Sequence, residues 1–204
     1  MKKSKGTILK IILGLVLLFL YLPIVYTIVF SFNSSKSLSV FKGFSLKWYE
    51  KMFNSGEIMD AIFYTIIVAV LTTVISTVVG TITAIGMSKS KKVIRKSIEQ
   101  INDFPIMNPE IVTAIGLLMF FSAVAIRKGF VTMLLAHIMF CIPYVILSIM
   151  PKLRSLDPNL IDAALDLGAT PIQALTKVVV PQITSGIVAG ALIAFTMSFD
   201  DFAI

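Results

Sequence analysis

The sequence alternates between long apolar segments and shorter stretches that carry most of its charged residues. Five apolar segments can be delimited, over residues 8–32, 61–87, 106–126, 130–150 and 183–204. Each is about 20 residues or longer, the length that an α-helix needs to cross about 30 Å of hydrocarbon. Helices are predicted because an isolated strand in lipid would leave its backbone groups unpaired. The pattern therefore predicts an all-α, polytopic membrane protein.

The first segment allows two interpretations. Its basic start, with Lys2, Lys3 and Lys5, fits the beginning of a signal peptide. The apolar run is longer than a signal peptide needs, contains Pro23, and shows no small residues at cleavage spacing before Asn33. These features favour an uncleaved membrane span.

Composition narrows the class of protein further. Hydrophobic residues make up 57% of the chain and charged residues 14%, with a mean hydropathy of +0.93. Soluble domains contain about 45–50% apolar and about 25% charged residues, so a disordered chain and nearly every cytosolic enzyme are excluded. Cys141 and His137 are the only residues of their types. An internal disulfide and Cys-rich or His-rich metal sites are therefore excluded as well.

The net charge of +7 gives the orientation of the spans. Twelve of the 18 basic residues lie at the N-terminus and in the loops after the second and fourth segments, and six lie in the other two loops. Cytoplasmic loops are enriched in Lys and Arg. We therefore predict a cytoplasmic N-terminus, and the basic excess requires no nucleic-acid partner.

The cytoplasmic loop over residues 152–181 is too long for a simple turn and predicts two short helices. Asp157 is a suitable N-cap followed by Pro158, and Gly168 is a natural stop. Thr170 and Pro171 repeat the start signal, and Pro181 marks the return to the membrane.

The first of these helices is predicted to have one apolar face, made of Leu160, Ala163, Ala164 and Leu167. Alanine on this face allows a partner surface to come close. The residues by themselves fit an amphipathic hairpin lying on the membrane equally well.

The same loop resembles the cytoplasmic "EAA" loop of ABC-importer permeases. That pattern is Glu-Ala-Ala, three residues, Gly, and a Pro thirteen residues after the Gly. The matching positions are Asp162, Ala163, Ala164, Gly168, Ala169 and Pro181. Three positions depart from it: Asp162 replaces Glu, Leu175 stands where an aromatic is common, and Val180 replaces Leu.

Further motifs make the resemblance specific to the permeases of spermidine/putrescine importers. They are Asn33-Ser34-Ser35, Lys47-Trp48-Tyr49, Asn108-Pro109-Glu110-Ile111-Val112, His137, Cys141-Ile142-Pro143, Asp166-Leu167-Gly168-Ala169 and Ser198-Phe199-Asp200-Asp201. The similarity covers essentially all 204 residues in order and implies one transmembrane domain over residues 1–204. Family members have six spans, and the last segment is apolar up to Ile204, so we expect a C-terminally truncated permease with about five spans.

The resemblance also implies partners and a mechanism. A second permease subunit, two ATP-binding subunits that bind ATP and Mg²⁺, and an extracytoplasmic polyamine-binding protein would complete the importer in a bacterial inner membrane. Residues 152–181 would be the ATPase-coupling loop, in which Asp162, Ala163, Ala164, Gly168, Ala169 and Pro181 carry coupling. The chain itself has no phosphate-binding P-loop and no nucleophile–His–acid motif, so we expect a transport subunit without catalysis or cofactor of its own.

Acidic residues inside apolar segments are the candidates for a substrate path. Glu110, Asp200 and Asp201 break the apolar pattern, and a carboxylate within a span costs about 3 kcal/mol on insertion scales. Carboxylates supply counter-charge to a polyamine, and an aromatic such as Trp48 could stack on it. The alternatives are that Glu110 only caps a helix, that the aspartates are solvated at the outer interface, and that Trp48 is an interfacial anchor.

Three other features have simpler interpretations. His137 is expected to form a hydrogen bond within the helix bundle, and Cys141 to pack in it. Gly186 and Gly190, with Ala194 following, predict a close-packing face for another helix, either in this chain or in a sister permease.

Other functions remain open at this point. The same architecture could carry another solute, such as ferric iron or an anion, although the acidic residues disfavour an anion. An integral-membrane enzyme would need a reactive constellation that the sequence does not show, and a passive scaffold or sensor subunit would work without an ATPase.

Overall fold

The computed structural model describes residues 2–201, with side chains from residue 9 onwards, and this part of the chain is almost entirely helical. Its helices are α1 (Lys2–Ser31), α2 (Lys47–Phe53), α3 (Gly56–Lys89), α4 (Lys92–Met107), α5 (Glu110–Ala123), α6 (Phe130–Arg154), α7 (Leu160–Asp166), α8 (Pro171–Ala174), a π-helical segment (Leu175–Val179) and α9 (Val180–Asp200). The predicted all-α fold is confirmed.

Four helices are long and apolar enough to cross a membrane. They are Leu9–Ser31, Gly56–Lys89, Phe130–Arg154 and Pro171–Asp200. A fifth crossing is possible if α4 and α5 together form one broken span. Four of the five predicted segments thus correspond to long helices.

The prediction of one continuous helix over the third segment, residues 106–126, is wrong. Residues 106 and 107 end α4, and α5 begins only at Glu110, at an angle of 108° to α4. The 14 residues of α5 span about 21 Å, less than the hydrocarbon thickness. The chain turns at Asn108-Pro109 because the residue before a proline is disfavoured in the helical conformation, and Asn108 is extended with φ −90° and ψ 144°.

Two compact units divide the chain, Met1–Ile62 and Phe63–Ile204. In the first unit, α1 exposes all of its described apolar face, with none of the Leu9–Ser31 window buried, as expected of a helix surrounded by lipid. The loop that follows α1 is folded by short-range hydrogen bonds and ends in the short helix α2.

In the second unit the core forms where α6 and α9 pack side by side in opposite directions. Successive contacts between the two helices lie four residues apart on each helix. A Cβ at Gly186 would lie 3.3 Å from the Ile149 backbone, and a Cβ at Gly190 would lie 3.1 Å from the Val145 backbone. Farther along, the Cys141 thiol lies 3.6 Å from the carbonyl of Ala194. The predicted close-packing face is therefore confirmed, and its partner is α6 of the same chain.

Helix α3 approaches the same residue from the other side. A Cβ at Gly80 would lie 2.7 Å from a Val145 methyl group, so only glycine allows this separation. Val145 is completely buried between Gly80 and Gly190. In lipid, where burial of apolar surface drives helix association little, such close van der Waals contact is a main source of stability.

Helix α9 is continuous with the loop that precedes it, which corrects the predicted boundary at Pro181. A helix containing proline loses one backbone hydrogen bond and meets a clash with the carbonyl four residues earlier. The π-helical segment Leu175–Val179 lies just before Pro181. In this segment the Val180 amide donates to the Leu175 carbonyl, five residues earlier. The wider turn accommodates the proline, so the helix continues without a break. Residues from Pro171 to Asp200 therefore form one rod of 30 residues.

We predict that Gly190→Leu destabilises the protein by about 1–3 kcal/mol, because the new side chain overpacks against the α6 backbone. The measurement is the thermal unfolding temperature of the purified protein in detergent. Gly86→Leu is the matched control, since a Cβ at Gly86 meets nothing within 4 Å. Equal unfolding temperatures for the two variants would contradict the assigned α6–α9 contact.

Candidate functional site

Helix α7, the first helix in the loop over residues 152–181, begins later than predicted. Its N-cap is Asn159, whereas the sequence indicated Asp157. The Asp157 carboxylate instead accepts a hydrogen bond of 2.9 Å from the Asn159 backbone, which forms a local turn before the helix. This turn competes with capping because aspartate readily bonds a backbone amide two residues on.

Gly168 ends α7 as predicted. Its φ of +84° lies in the left-handed region, where glycine is favoured over residues with a Cβ. The Gly168 amide donates to the Leu165 carbonyl at 2.9 Å, and the Ala169 amide donates to the Ala164 carbonyl at 3.1 Å. These two bonds make a Schellman motif. Gly168 thereby fixes the direction in which the chain leaves α7.

The predicted apolar face of α7 is divided between two environments, which corrects the sequence-based assignment. Ala164 is buried against the protein and Leu160 is half-buried, whereas Ala163 is exposed. Leu167 is 90% exposed. The side of α7 that faces the protein carries Ala164 and Ile161, and Ile161 packs against the core. Only the other side, with Asp162 and Ala163, is available to a partner.

The second half of the loop keeps its predicted start. The Thr170 hydroxyl accepts a bond from the Gln173 amide at 3.3 Å, and the Gln173 side chain accepts one from the Thr170 amide at 3.0 Å. This reciprocal capping box fixes the beginning of the rod. Ile172, in its first turn, is 73% exposed. Leu167 was part of the face predicted to allow a partner, whereas Ile172 was missed.

Helix α7 lies at the end of the helix bundle where α3 and α6 end. A cavity of about 270 Å³ lies beneath it, with apolar walls that include Ile85, Met150, Leu153 and Leu175. Beside this cavity, Arg154 at the end of α6 forms a salt bridge of 3.0 Å with Glu99 of α4. Helix α7 itself packs against α8 and the π-helical segment, and Ile161 packs against the core.

Glu110 occupies the break between α4 and α5. It is the first residue of α5, where the positive end of the helix dipole favours a carboxylate. The half-buried Glu110 lies within electrostatic range of Asp200, Asp201 and the Tyr144 hydroxyl. The break thus places a carboxylate between two helices that together are long and apolar enough to cross a membrane.

Asp200 and Asp201 lie at the end of α9, where the helix dipole disfavours negative charge. Asp200 is exposed, Asp201 is half-buried, and Asp201 also lies within electrostatic range of His137 and Cys141 on α6. Glu110 and the two aspartates, which are distant from it in sequence, are thus within electrostatic range of one another.

His137 and Cys141 have the roles predicted for them. The Ser198 hydroxyl lies 2.9 Å from Nδ1 of His137, and both residues are buried. This hydrogen bond joins α6 to α9 one turn before the aspartates. Cys141 is completely buried in the same interface.

Trp48 lies in the first unit, in helix α2. Its indole N–H donates to the Asn33 carbonyl at 2.8 Å, and the Lys47 ammonium lies 4.8 Å from the ring centre. The Trp48 indole therefore already has an acceptor for its N–H and a cation over its ring. These contacts support an anchoring role in the loop between α1 and α3.

Comparison with known proteins identifies relatives over most of the chain. The spermidine/putrescine transport system permease protein PotC of Haemophilus influenzae is 35% identical over 91% of this chain and 72% of its own length. PotC of Escherichia coli is 32% identical over 91% of this chain and 70% of its own length. The putrescine transport system permease protein PotI of Escherichia coli is 34% identical over 99% of this chain and 74% of its own length.

Residues 76–204, which include the acidic cluster and the whole loop, match the family described as the inner membrane component of binding-protein-dependent transport systems. The four or five apolar spans agree with such a multi-pass protein. The chain belongs to this family, and it is a membrane transport subunit and not an enzyme.

Proposed function

We propose that this chain is the permease subunit of an ATP-driven importer for polyamines such as spermidine and putrescine. The observation that carries the proposal is that Glu110, at the break between α4 and α5, lies within electrostatic range of Asp200 and Asp201. The relatives are spermidine/putrescine and putrescine permeases, which supports the same substrate class.

The charge of this cluster fits a polycation. Three carboxylates supply counter-charge to a chain of ammonium groups, and Tyr144, in range of Glu110, offers an aromatic face. An anion would meet repulsion at the same place, so the alternative of an anion carrier is disfavoured. The substrate-path role of Trp48 stays a prediction, and it is disfavoured by the Lys47 ammonium over its ring.

The cytoplasmic loop is proposed to couple transport to ATP hydrolysis. Asp162 and Ala163 on the exposed side of α7, together with exposed Leu167, form a surface suited to a groove on an ATP-binding subunit. Ala164, Gly168, Ala169 and Pro181 act by shaping the loop. The rod from Pro171 to Asp200 then links this loop to the acidic cluster over about 30 Å of α9. Movement of the loop therefore displaces the aspartates directly.

The remaining partners and the orientation belong to the same proposal. The importer would contain a second permease subunit, two ATP-binding subunits carrying ATP and Mg²⁺, and an extracytoplasmic polyamine-binding protein. The N-terminus would be cytoplasmic, because twelve of the 18 basic residues then lie inside. The outer loop after α1 would face the binding protein's compartment.

We expect Asp201→Asn combined with Glu110→Gln to lower polyamine uptake at least about tenfold, a loss of about 1.4 kcal/mol of interaction with the cation. The measurement is uptake of labelled spermidine and putrescine in cells lacking other polyamine importers, at matched membrane abundance. Asp103→Asn, at an exposed position of α4, is the control and should transport normally. Unchanged uptake by the double variant would refute the proposed path.

Gly168→Val is expected to uncouple the importer, since valine at a φ of +84° is strained by about 1–2 kcal/mol and redirects the loop. Gly168→Asn is the matched control, because asparagine tolerates this conformation. The measurements are spermidine-stimulated ATP hydrolysis and retention of the ATP-binding subunits on the purified permease. Normal coupling by the valine variant, with the ATPase bound, would be inconsistent with the proposed role of this loop.

The orientation can be tested with the native cysteine in place, because Cys141 is completely buried. In intact cells, a membrane-impermeant maleimide should label Lys42→Cys, in the outer loop. Lys91→Cys, between α3 and α4, should be labelled only after the membrane is opened. The reverse pattern would invert the proposed topology.

A further inference from the structure

The outer loop after α1 is a folded unit and not a loose connection. Asn33 is 1% exposed, and its amide group donates to the Ser37 and Val40 carbonyls at 2.8 Å each. Its side-chain oxygen accepts from the backbone amides of Ser35 and Lys42 at 3.2 and 2.9 Å. A buried side chain with four hydrogen bonds holds residues 33–42 in one arrangement. Any cavity in this loop is therefore preformed.

Such a cavity lies between the end of α1 and helix α2, and its volume is about 590 Å³. Phe30, Leu38, Trp48 and Met52 contribute apolar and aromatic walls. The polar residues of the lining include Lys36, Lys51 and Ser35. The cavity is thus amphipathic, with positive charge at its polar part.

The two cavity lysines differ from Lys47. The Lys47 ammonium donates to the Ser34 carbonyl and lies over the Trp48 ring. Within residues 9–201, Lys36 and Lys51 form no salt bridge. Over residues 33–53 the loop has four lysines and one glutamate, Glu50. The charge of the loop therefore favours an anionic ligand and disfavours a polyamine.

The position of the cavity indicates what kind of anion is available. It lies at the end of the apolar helix α1, whose last turns carry Tyr26 stacked on Phe30 with ring centres 4.3 Å apart. Tyr, Trp and Lys at the end of a membrane helix mark the headgroup layer. Phe44 is 72% exposed and Leu38 is 65% exposed, so apolar surface at this level is open to lipid.

We propose that this cavity binds an anionic phospholipid, with the phosphate at Lys36, Lys51 and Ser35 and the first part of an acyl chain against Phe30 and Leu38. A concave, partly apolar site beside a lipid-exposed helix suits an amphipathic ligand better than an extracytoplasmic protein. The site goes beyond the proposed transport function. The leaflet it faces follows from the proposed orientation, whereas the lipid preference does not depend on it.

Trp48, the only tryptophan of the chain, lines the cavity and is its natural reporter. The full-length chain is reconstituted into phosphatidylcholine vesicles that contain a minor fraction of either brominated phosphatidylglycerol or brominated phosphatidylcholine. We expect brominated phosphatidylglycerol to be enriched at Trp48 about fivefold over brominated phosphatidylcholine, as judged by fluorescence quenching, because each lysine near an anionic headgroup adds to the preference. High salt should weaken this preference.

Lys36→Gln combined with Lys51→Gln should abolish the difference between the two brominated lipids. Lys42→Gln is the matched control, since Lys42 belongs to the same loop but does not line the cavity, and it should keep the preference. An unchanged Trp48 emission maximum in both variants verifies that the loop stays folded. Equal quenching by the two lipids in the unmodified chain, or a preference that survives the double substitution, would overturn the proposal. Loss of binding-protein docking in the double variant, without any lipid preference in the unmodified chain, would assign the cavity to a protein partner instead.

Discussion

The close contact between α6 and α9 is the interaction on which the rest of the second unit depends. In lipid, helices gain little from burying apolar surface against one another, so their association relies on van der Waals contact at short range. Gly186 and Gly190 allow the α9 backbone to reach α6, and Gly80 brings α3 to the opposite side of Val145. The buried His137–Ser198 hydrogen bond adds a polar constraint that fixes the register of the two helices.

This register places the two proposed functional sites on one continuous helix. The helix begins at the Thr170 capping box, in the loop proposed to contact the ATPase, and ends at Asp200. The π-helical segment before Pro181 allows the helix to remain continuous where proline would otherwise break it. Because residues 171–200 form one continuous helix, no flexible linker separates the loop from the acidic end.

Local rules of helix stability are broken at the proposed path. A helix breaks at Asn108-Pro109 within a sequence that is otherwise apolar, and two aspartates lie at the wrong end of a helix dipole. Each feature lowers stability, and the packed α6–α9 pair tolerates them. Such conflicts between local preference and global fold are expected at functional sites. The loop after α1 shows the opposite situation, since the buried Asn33 side chain bonds four backbone groups of that loop.

The sequence by itself determined the helical class, four of the membrane segments, the small-residue face of α9, the stop at Gly168 and the start at Thr170, because these depend on local composition and spacing. It also indicated which acidic residues are unusual. Pro105 and Pro109 also indicated an irregular third segment. Only the tertiary structure decided that α4 and α5 are bent by 108°, that α7 turns Ala164 inward and leaves Leu167 exposed, and that Glu110 lies within electrostatic range of Asp200 and Asp201. These outcomes depend on contacts between residues far apart in the chain, which periodicity along one segment does not record.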